Sequence, residues 1–156
     1  MEDYKVALFG HRDLCEHRKL EKKIYPILEK LILEKTYVQF YIGRNGEFDI
    51  FTASIIRRAK KAFGYGNVDL TLALPYKVKD IEFYANYYDS VIIPESIEKI
   101  HPKRAITMRN RWMVEQCNLV ICFVNRDAGG AYTALEYATK LGKKIINLAI
   151  ENDVED

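Results

Sequence analysis

The chain has 156 residues, of which 49% are hydrophobic and 29% charged, a balance typical of one globular domain rather than of a disordered chain or a coiled coil. Its 24 basic and 22 acidic side chains leave a net charge of +2, which disfavours a dedicated nucleic-acid or polyanion binder. The charged N-terminus predicts that there is no secretory signal, and the absence of a long apolar run predicts that there is no membrane span. The three cysteines contain no CxxC pair, which disfavours a disulfide scaffold. Together these features predict a cytoplasmic protein.

Short apolar runs and longer amphipathic stretches alternate along the first half of the chain. A run at 6–9 predicts a strand, and helical spacing follows over 16–35, where Pro26 predicts a kink or a restart. Runs at 38–42 and 68–74 predict two further strands on either side of a helix over 47–63. The aromatic and charged segment 76–89 predicts a short helix or an ordered loop.

The second half of the chain continues the same alternation. A strand at 91–93 precedes a helix over 103–116, and a strand at 119–124 precedes a helix over 131–141, which Gly142 ends. The last strand is predicted at 145–148.

Most of these runs are continuously apolar, as is typical of strands that are buried on both faces of a parallel sheet. The predicted fold class is therefore α/β, a three-layer Rossmann-like fold with a mostly parallel sheet of about six strands. We expect residues 1–150 to form a single domain and residues 151–156 to be an acidic tail.

Glycine, arginine and small polar residues gather directly after the predicted strands, at the edge where open α/β sheets bind ligands. Two of these loops run straight into helices, whose first N–H groups and dipole favour an anion. The sequence therefore predicts a phosphate or ribose-phosphate site, although glycines in such loops can also serve tight turns alone. No P-loop or dinucleotide fingerprint is present, and no cofactor is expected. The candidate ligand-binding residues are Gly10, His11, Arg12, Gly43, Arg44, Asn45, Gly46, Glu47, Pro75, Gly129 and Gly130.

Two segments of the second half resemble those of a known enzyme family. Residues 129–136, Gly-Gly-Ala-Tyr-Thr-Ala-Leu-Glu, resemble the PGGxGTxxE motif of the lonely-guy phosphoribohydrolases, and residues 108–113, Met-Arg-Asn-Arg-Trp-Met, resemble that family's MxxRK segment. The chain departs from these motifs at Ala128, Tyr132 and Trp112, which stand where the family has proline, glycine and lysine. Over nearly its whole length it is similar to small stand-alone proteins of the SLOG superfamily, Rossmann-like domains related to lonely-guy enzymes and DprA-type domains.

The resemblance implies catalytic roles for Arg111 and Glu136, and it adds Arg109 and Thr133 to the ligand-binding candidates. A carboxylate and a cation suit the cleavage of an N-glycosidic bond, either by hydrolysis or, as in the similar nucleoside deoxyribosyltransferases, by transfer through a nucleophilic glutamate. Two alternatives compete with this enzymatic interpretation. The protein could be a non-catalytic sensor or sequestering module for a nucleotide signal such as an ADP-ribose derivative, or Arg111 and Glu136 could form a structural ion pair.

The expected partner is a nucleotide-type small molecule, and neither a membrane nor nucleic acid is favoured. Basic residues near the end of the second predicted helix complement its dipole, and a single-stranded DNA site there is the less favoured interpretation. His11, Cys15 and His17 match no common zinc spacing, so no metal is expected.

The tyrosines of the segment 76–89 allow two interpretations. If the segment folds over the site, Tyr84, Tyr87 and Tyr88 can stack on a base, and otherwise they can pack against a second subunit. The resemblance implies a homodimer or a higher homo-oligomer, in which Trp112 is a further interface candidate.

Overall fold

Six strands and five α-helices alternate along residues 3–97 and 100–150, which are the residues that this computed structural model describes, with the backbone alone at 96 and 103. The acidic tail expected at 151–156 lies outside them. The elements are β1 (Tyr4–Gly10), α1 (His17–Glu34), β2 (Val38–Ile42), α2 (Glu47–Phe63), β3 (Val68–Ala73), α3 (Ile81–Tyr87), β4 (Ser90–Ile92), a 3-10 turn (Glu95–Ile97), α4 (Pro102–Gln116), β5 (Leu119–Phe123), α5 (Gly130–Lys140) and β6 (Lys144–Asn147).

The six strands form one sheet in the order β4-β3-β2-β1-β5-β6, and each described pair of neighbours is parallel. From β1 the chain builds outward to β4, then crosses back to place β5 on the other side of β1. A crevice opens outside the carboxyl ends of the strands at such a reversal of strand order. The predicted three-layer Rossmann-like fold is confirmed, with a fully parallel sheet.

Helices α1 and α2 pack together over one face of the sheet, and α4 and α5 cover the other face. Leu8 and Phe40 belong to the first of these two cores, whereas Ala7 and Val120 belong to the second. Successive strand residues thus serve opposite cores, which is why the predicted strands are continuously apolar. In the part of the chain that the structure describes, no helix has an apolar stretch that would span a membrane.

For two elements the sequence allowed two conformations, and the structure distinguishes between them. Helix α1 runs without interruption through Pro26, so the predicted restart does not occur. An internal proline costs a helix about 3 kcal/mol, and the buried stripe of Leu20, Ile24 and Leu28 offsets this cost. The segment 76–89 forms the short helix α3 rather than an ordered loop throughout.

Candidate functional site

A cleft of about 350 Å³ opens at the carboxyl edge of the sheet, beside the reversal between β1 and β5. Its walls come from the loop after β1, the start of α2, the middle of α4 and the loop that leads into α5. It brings together the predicted residues Gly10, His11, Arg12, Asn45, Arg109, Gly129 and Gly130. It also contains Asp13, Asp49, Asn110 and Arg126, which were not among the candidate residues, although Asp13 and Arg126 lie in two of the loops that follow predicted strands.

A second cleft, of about 410 Å³, lies on the α1 side of the same loops. Asp13 and Arg126 line both clefts, and their ion pair measures 2.5 Å between Nη2 and Oδ1. The hydrogen bond from Arg126 lowers the pKa of the Asp13 carboxyl. Lys23 on the wall of the second cleft donates to the carbonyls of Leu148 and Ile150, so its ammonium group is already engaged. The first cleft is therefore the better candidate for an anion site.

The N-terminus of α5 is the open anion-binding feature of the first cleft. Gly129 precedes the helix with φ at +96°, a conformation that favours glycine, and a Cβ added to Gly129 would meet nothing within 4 Å. The first turn contains no acidic residue, and within the described residues no side chain caps it. Thr133 turns its hydroxyl back to the Gly129 carbonyl, at 3.1 Å. The first N–H groups of α5 are thus free to bind an anion.

The N-terminus of α2, which was the other predicted anion site, is closed by the protein's own groups. The Asn45 N–H donates to the Asp49 carboxylate at 3.0 Å, and the Glu47 N–H donates to the Arg12 carbonyl at 2.7 Å. Glu47 and Asp49 both lie in the first turn, where their carboxylates favour the helix dipole and repel a second anion.

Arg109 holds this closed arrangement together from α4. Its side chain is 2% exposed and donates to the Ala73 carbonyl at 2.6 Å and to the Asn45 and Asn110 amide oxygens, each at 2.9 Å. Burial lowers the pKa of the Arg109 guanidinium and raises the pKa of the Asp49 carboxyl, and the attraction between the two charges opposes both shifts. Arg109 therefore joins the middle of α4 to the loop after β2 and the end of β3, rather than offering a free cation.

The remaining predicted residues of these loops lie outside the open part of the cleft. A Cβ on Gly43 would come within 2.7 Å of the Arg109 guanidinium, so this glycine makes room for it. Pro75 is buried after β3. Arg44 lies 4.4 Å from the centre of the Tyr84 ring, on the side of α3.

His11, which directly follows β1, fixes the loop after the neighbouring strand β5. It is buried, and its Nε2 accepts a hydrogen bond from the Asn125 N–H at 3.1 Å, which requires a neutral ring with its proton on Nδ1. Burial and, to a smaller extent, the charge of Arg126 lower the pKa of His11. Within residues 3–97 and 100–150, no cluster of histidine, cysteine and carboxylate side chains forms a metal site.

Arg111 and Glu136, the predicted catalytic pair, are exposed and occupied by different partners. The Arg111 guanidinium lies 5.1 Å from the centre of the Tyr137 ring. The interaction of Glu136 with Tyr132 raises the pKa of that tyrosine. Neither side chain lines the cleft, and among the described residues no ion pair joins them. The structure does not assemble the predicted catalytic arrangement.

No protein-family model and no curated protein matches the chain. DNA processing protein A from Streptococcus pneumoniae has a similar structure, with a TM-score of 0.68 and 18% identity over 98% of this chain and 52% of that one. DNA processing protein A from Helicobacter pylori, described by its single-stranded DNA binding mode, has a TM-score of 0.66 and 14% identity over 98% of this chain and 67% of that one. The chain spans about half of the first protein, and the likeness shows a shared DprA-type Rossmann-like fold.

These structures correct two expectations. The sequence favoured a nucleotide-type small molecule, cleaved or sensed, and disfavoured nucleic acid as a partner, yet a protein of the same fold binds single-stranded DNA. A net charge of +2 does not exclude a nucleic-acid site, because it sums over the whole surface, whereas binding depends on local charge. The expected homodimer stays a prediction.

Proposed function

We propose that the chain binds single-stranded DNA at the carboxyl edge of its sheet. The observation that carries the proposal is the uncapped N-terminus of α5 inside the cleft at the strand reversal, with Arg12 and Arg126 exposed beside it. The similar fold of a single-stranded DNA-binding protein supports it. We further propose that residues 1–150 act as one domain of the SLOG superfamily, and a DNA partner agrees with the cytoplasmic location expected from the sequence.

The groups that line the cleft suit a phosphate of the DNA backbone. The N–H groups at Gly130 and the next residues point out of the helix, and the helix dipole adds the equivalent of about half a positive charge. The glycine at 129 allows the phosphate to approach the backbone closely. Arg126 can exchange the Asp13 carboxylate for a phosphate, since both side chains of that ion pair are exposed. Arg12 adds a second guanidinium at the rim.

The dimensions of the cleft favour a single strand over a duplex. A cleft of about 350 Å³ is at the small end of ligand pockets and encloses a group about the size of one nucleotide. A single strand can place one phosphate and its sugar in the cleft and turn the neighbouring bases outward. A double helix holds its bases in the stack and presents its phosphates at fixed spacing.

The salt dependence of binding tests these backbone contacts. In a titration of a fluorescently labelled thymidine strand, the logarithm of the association constant should fall linearly with the logarithm of salt concentration, by about 0.7 for each phosphate contacted. Arg12→Gln should weaken binding about tenfold at low salt. It should also lower the magnitude of the salt slope by about 0.7, the value for one phosphate contact. Arg58→Gln, the same change at an exposed arginine on α2 that pairs with Glu21, is the matched control and should leave both quantities unchanged. Equal slopes for the unchanged protein and Arg12→Gln would remove Arg12 from the site.

A further inference from the structure

A second surface, on the β4 side of the sheet, combines exposed rings with arginines. We name it the α3 surface and define it by Arg44, Arg57, Phe83, Tyr84 and Tyr87. Helix α3 has no buried residue, and the Phe83 ring is 70% exposed, more than any other large hydrophobic side chain of the described residues. A ring that is so exposed to solvent contributes little to the stability of the hydrophobic core.

The two arginines of the α3 surface are held by tyrosine rings rather than by carboxylates. The Arg44 Cζ lies 4.4 Å from the centre of the Tyr84 ring, and the Arg57 Cζ lies 4.1 Å from the centre of the Tyr87 ring. In the part of the chain that the structure describes, neither guanidinium forms an ion pair. Stacking occupies the flat face of a guanidinium and leaves N–H groups at its edge for a phosphate.

The α3 surface adjoins the cleft through two consecutive residues. Asn45 lines the cleft and accepts a hydrogen bond from Arg109, while Arg44, the residue before it, faces Tyr84. A polymer that leaves the cleft past Asn45 therefore meets Arg44 next. Exposed rings interleaved with cations are the pattern by which proteins hold single strands without reading their sequence.

We propose that the α3 surface extends the DNA site, with Phe83 stacking on a nucleobase while Arg44 and Arg57 bind phosphates on either side of it. The inference rests on the proposed function and adds a separate subsite to it. The unpaired guanidinium groups favour a polyanion, because among the described residues no carboxylate competes with a phosphate for their N–H groups. Tyr84 and Tyr87 serve as supports for the arginines, and the accessible ring is Phe83.

A pair of matched substitutions tests the stacking role. Phe83→Leu removes the aromatic face and keeps an apolar side chain, and it should weaken binding of a labelled thymidine strand at least about fivefold. Tyr65→Leu makes the same kind of change at a ring that is 63% exposed, between α2 and the start of β3, at the amino edge of the sheet. This control should leave the affinity within about twofold of that of the unchanged protein. Thermal melting of both variants confirms that they are folded. In Phe83→Trp, the new indole should lose fluorescence when the strand binds, beyond any change from Trp112 in the unchanged protein.

The outcomes separate the subsite from the proposed function. If the unchanged protein binds the strand and folded Phe83→Leu binds it equally well, the stacking role is wrong, the cleft remains the DNA site, and the α3 surface is left to a protein partner. If the unchanged protein fails to bind any single strand, the proposed function and the subsite are both wrong.

Discussion

Arg109→Met should lower the free energy of unfolding by about 3–5 kcal/mol, because it removes the cation at the centre of the carboxyl edge. The substitution breaks the hydrogen bonds to Ala73, Asn45 and Asn110 and leaves their oxygen atoms without this donor. It also leaves the buried Asp49 carboxylate without the charge that opposes its desolvation. Urea unfolding of the variant and the unchanged protein, followed by circular dichroism, measures the difference.

Arg111→Met is the matched control, because it makes the same change two residues along α4, at an exposed arginine that rests on the Tyr137 ring. Its free energy of unfolding should change by less than about 1 kcal/mol. Adding Asp49→Asn to Arg109→Met should cost less than the sum of the two single changes, since the uncompensated carboxylate is gone. Equal losses for Arg109→Met and Arg111→Met would contradict the role assigned to Arg109.

Gly130→Asp should weaken single-stranded DNA binding about 100-fold while leaving the protein at least as stable as before. The aspartate places a carboxylate in the first turn of α5, where it favours the helix dipole by about 0.3–1 kcal/mol. The change is sterically permitted, because a Cβ on Gly130 meets only the Asn110 amide, at 3.9 Å, and the residue does not have a positive φ. The same carboxylate would repel the phosphate and compete for its N–H donors, each of which is worth about 1.5–3 kcal/mol to a charged acceptor.

Gly130→Ala is the neutral control for this change. It should bind DNA within about threefold of the unchanged protein, since a methyl group fits the open space and carries no charge. Anisotropy titrations supply the affinities, and thermal melting supplies the stabilities. A Gly130→Asp protein that binds as tightly as Gly130→Ala would show that the phosphate does not lie at the start of α5.

The fold was predictable because burial on both faces of a parallel sheet leaves a strong pattern in the sequence. The continuous apolar runs indicated the strands and their parallel pairing, and the helical spacing between them indicated the crossovers. The order of strands was not predictable, because any of several right-handed arrangements buries the same residues. The sequence therefore predicted a ligand site at the carboxyl edge of the sheet, but it did not predict which two loops would enclose that site.

The two glycine-rich loops differ in a way that the sequence analysis did not distinguish. Both precede a helix, yet the loop before α2 is filled by Arg109, which lies more than sixty residues away and reaches the loop only in the folded chain. One signal was available, since Glu47 and Asp49 stand in the first turn of α2 and α5 has no such residues. Acidic side chains in the first turn interact favourably with the helix dipole and repel a bound anion. Their presence at α2 and absence at α5 distinguish the two loops from the sequence alone.

The affinity for a single strand against a duplex of the same sequence tests the central claim most directly. A labelled oligonucleotide of mixed sequence is titrated with the unchanged protein near physiological salt, alone and then annealed to its complement, with fluorescence anisotropy as the readout. We predict saturable binding of the single strand that is at least about tenfold tighter than binding of the duplex. No saturable binding of the single strand, or equal affinity for both forms, would contradict the account.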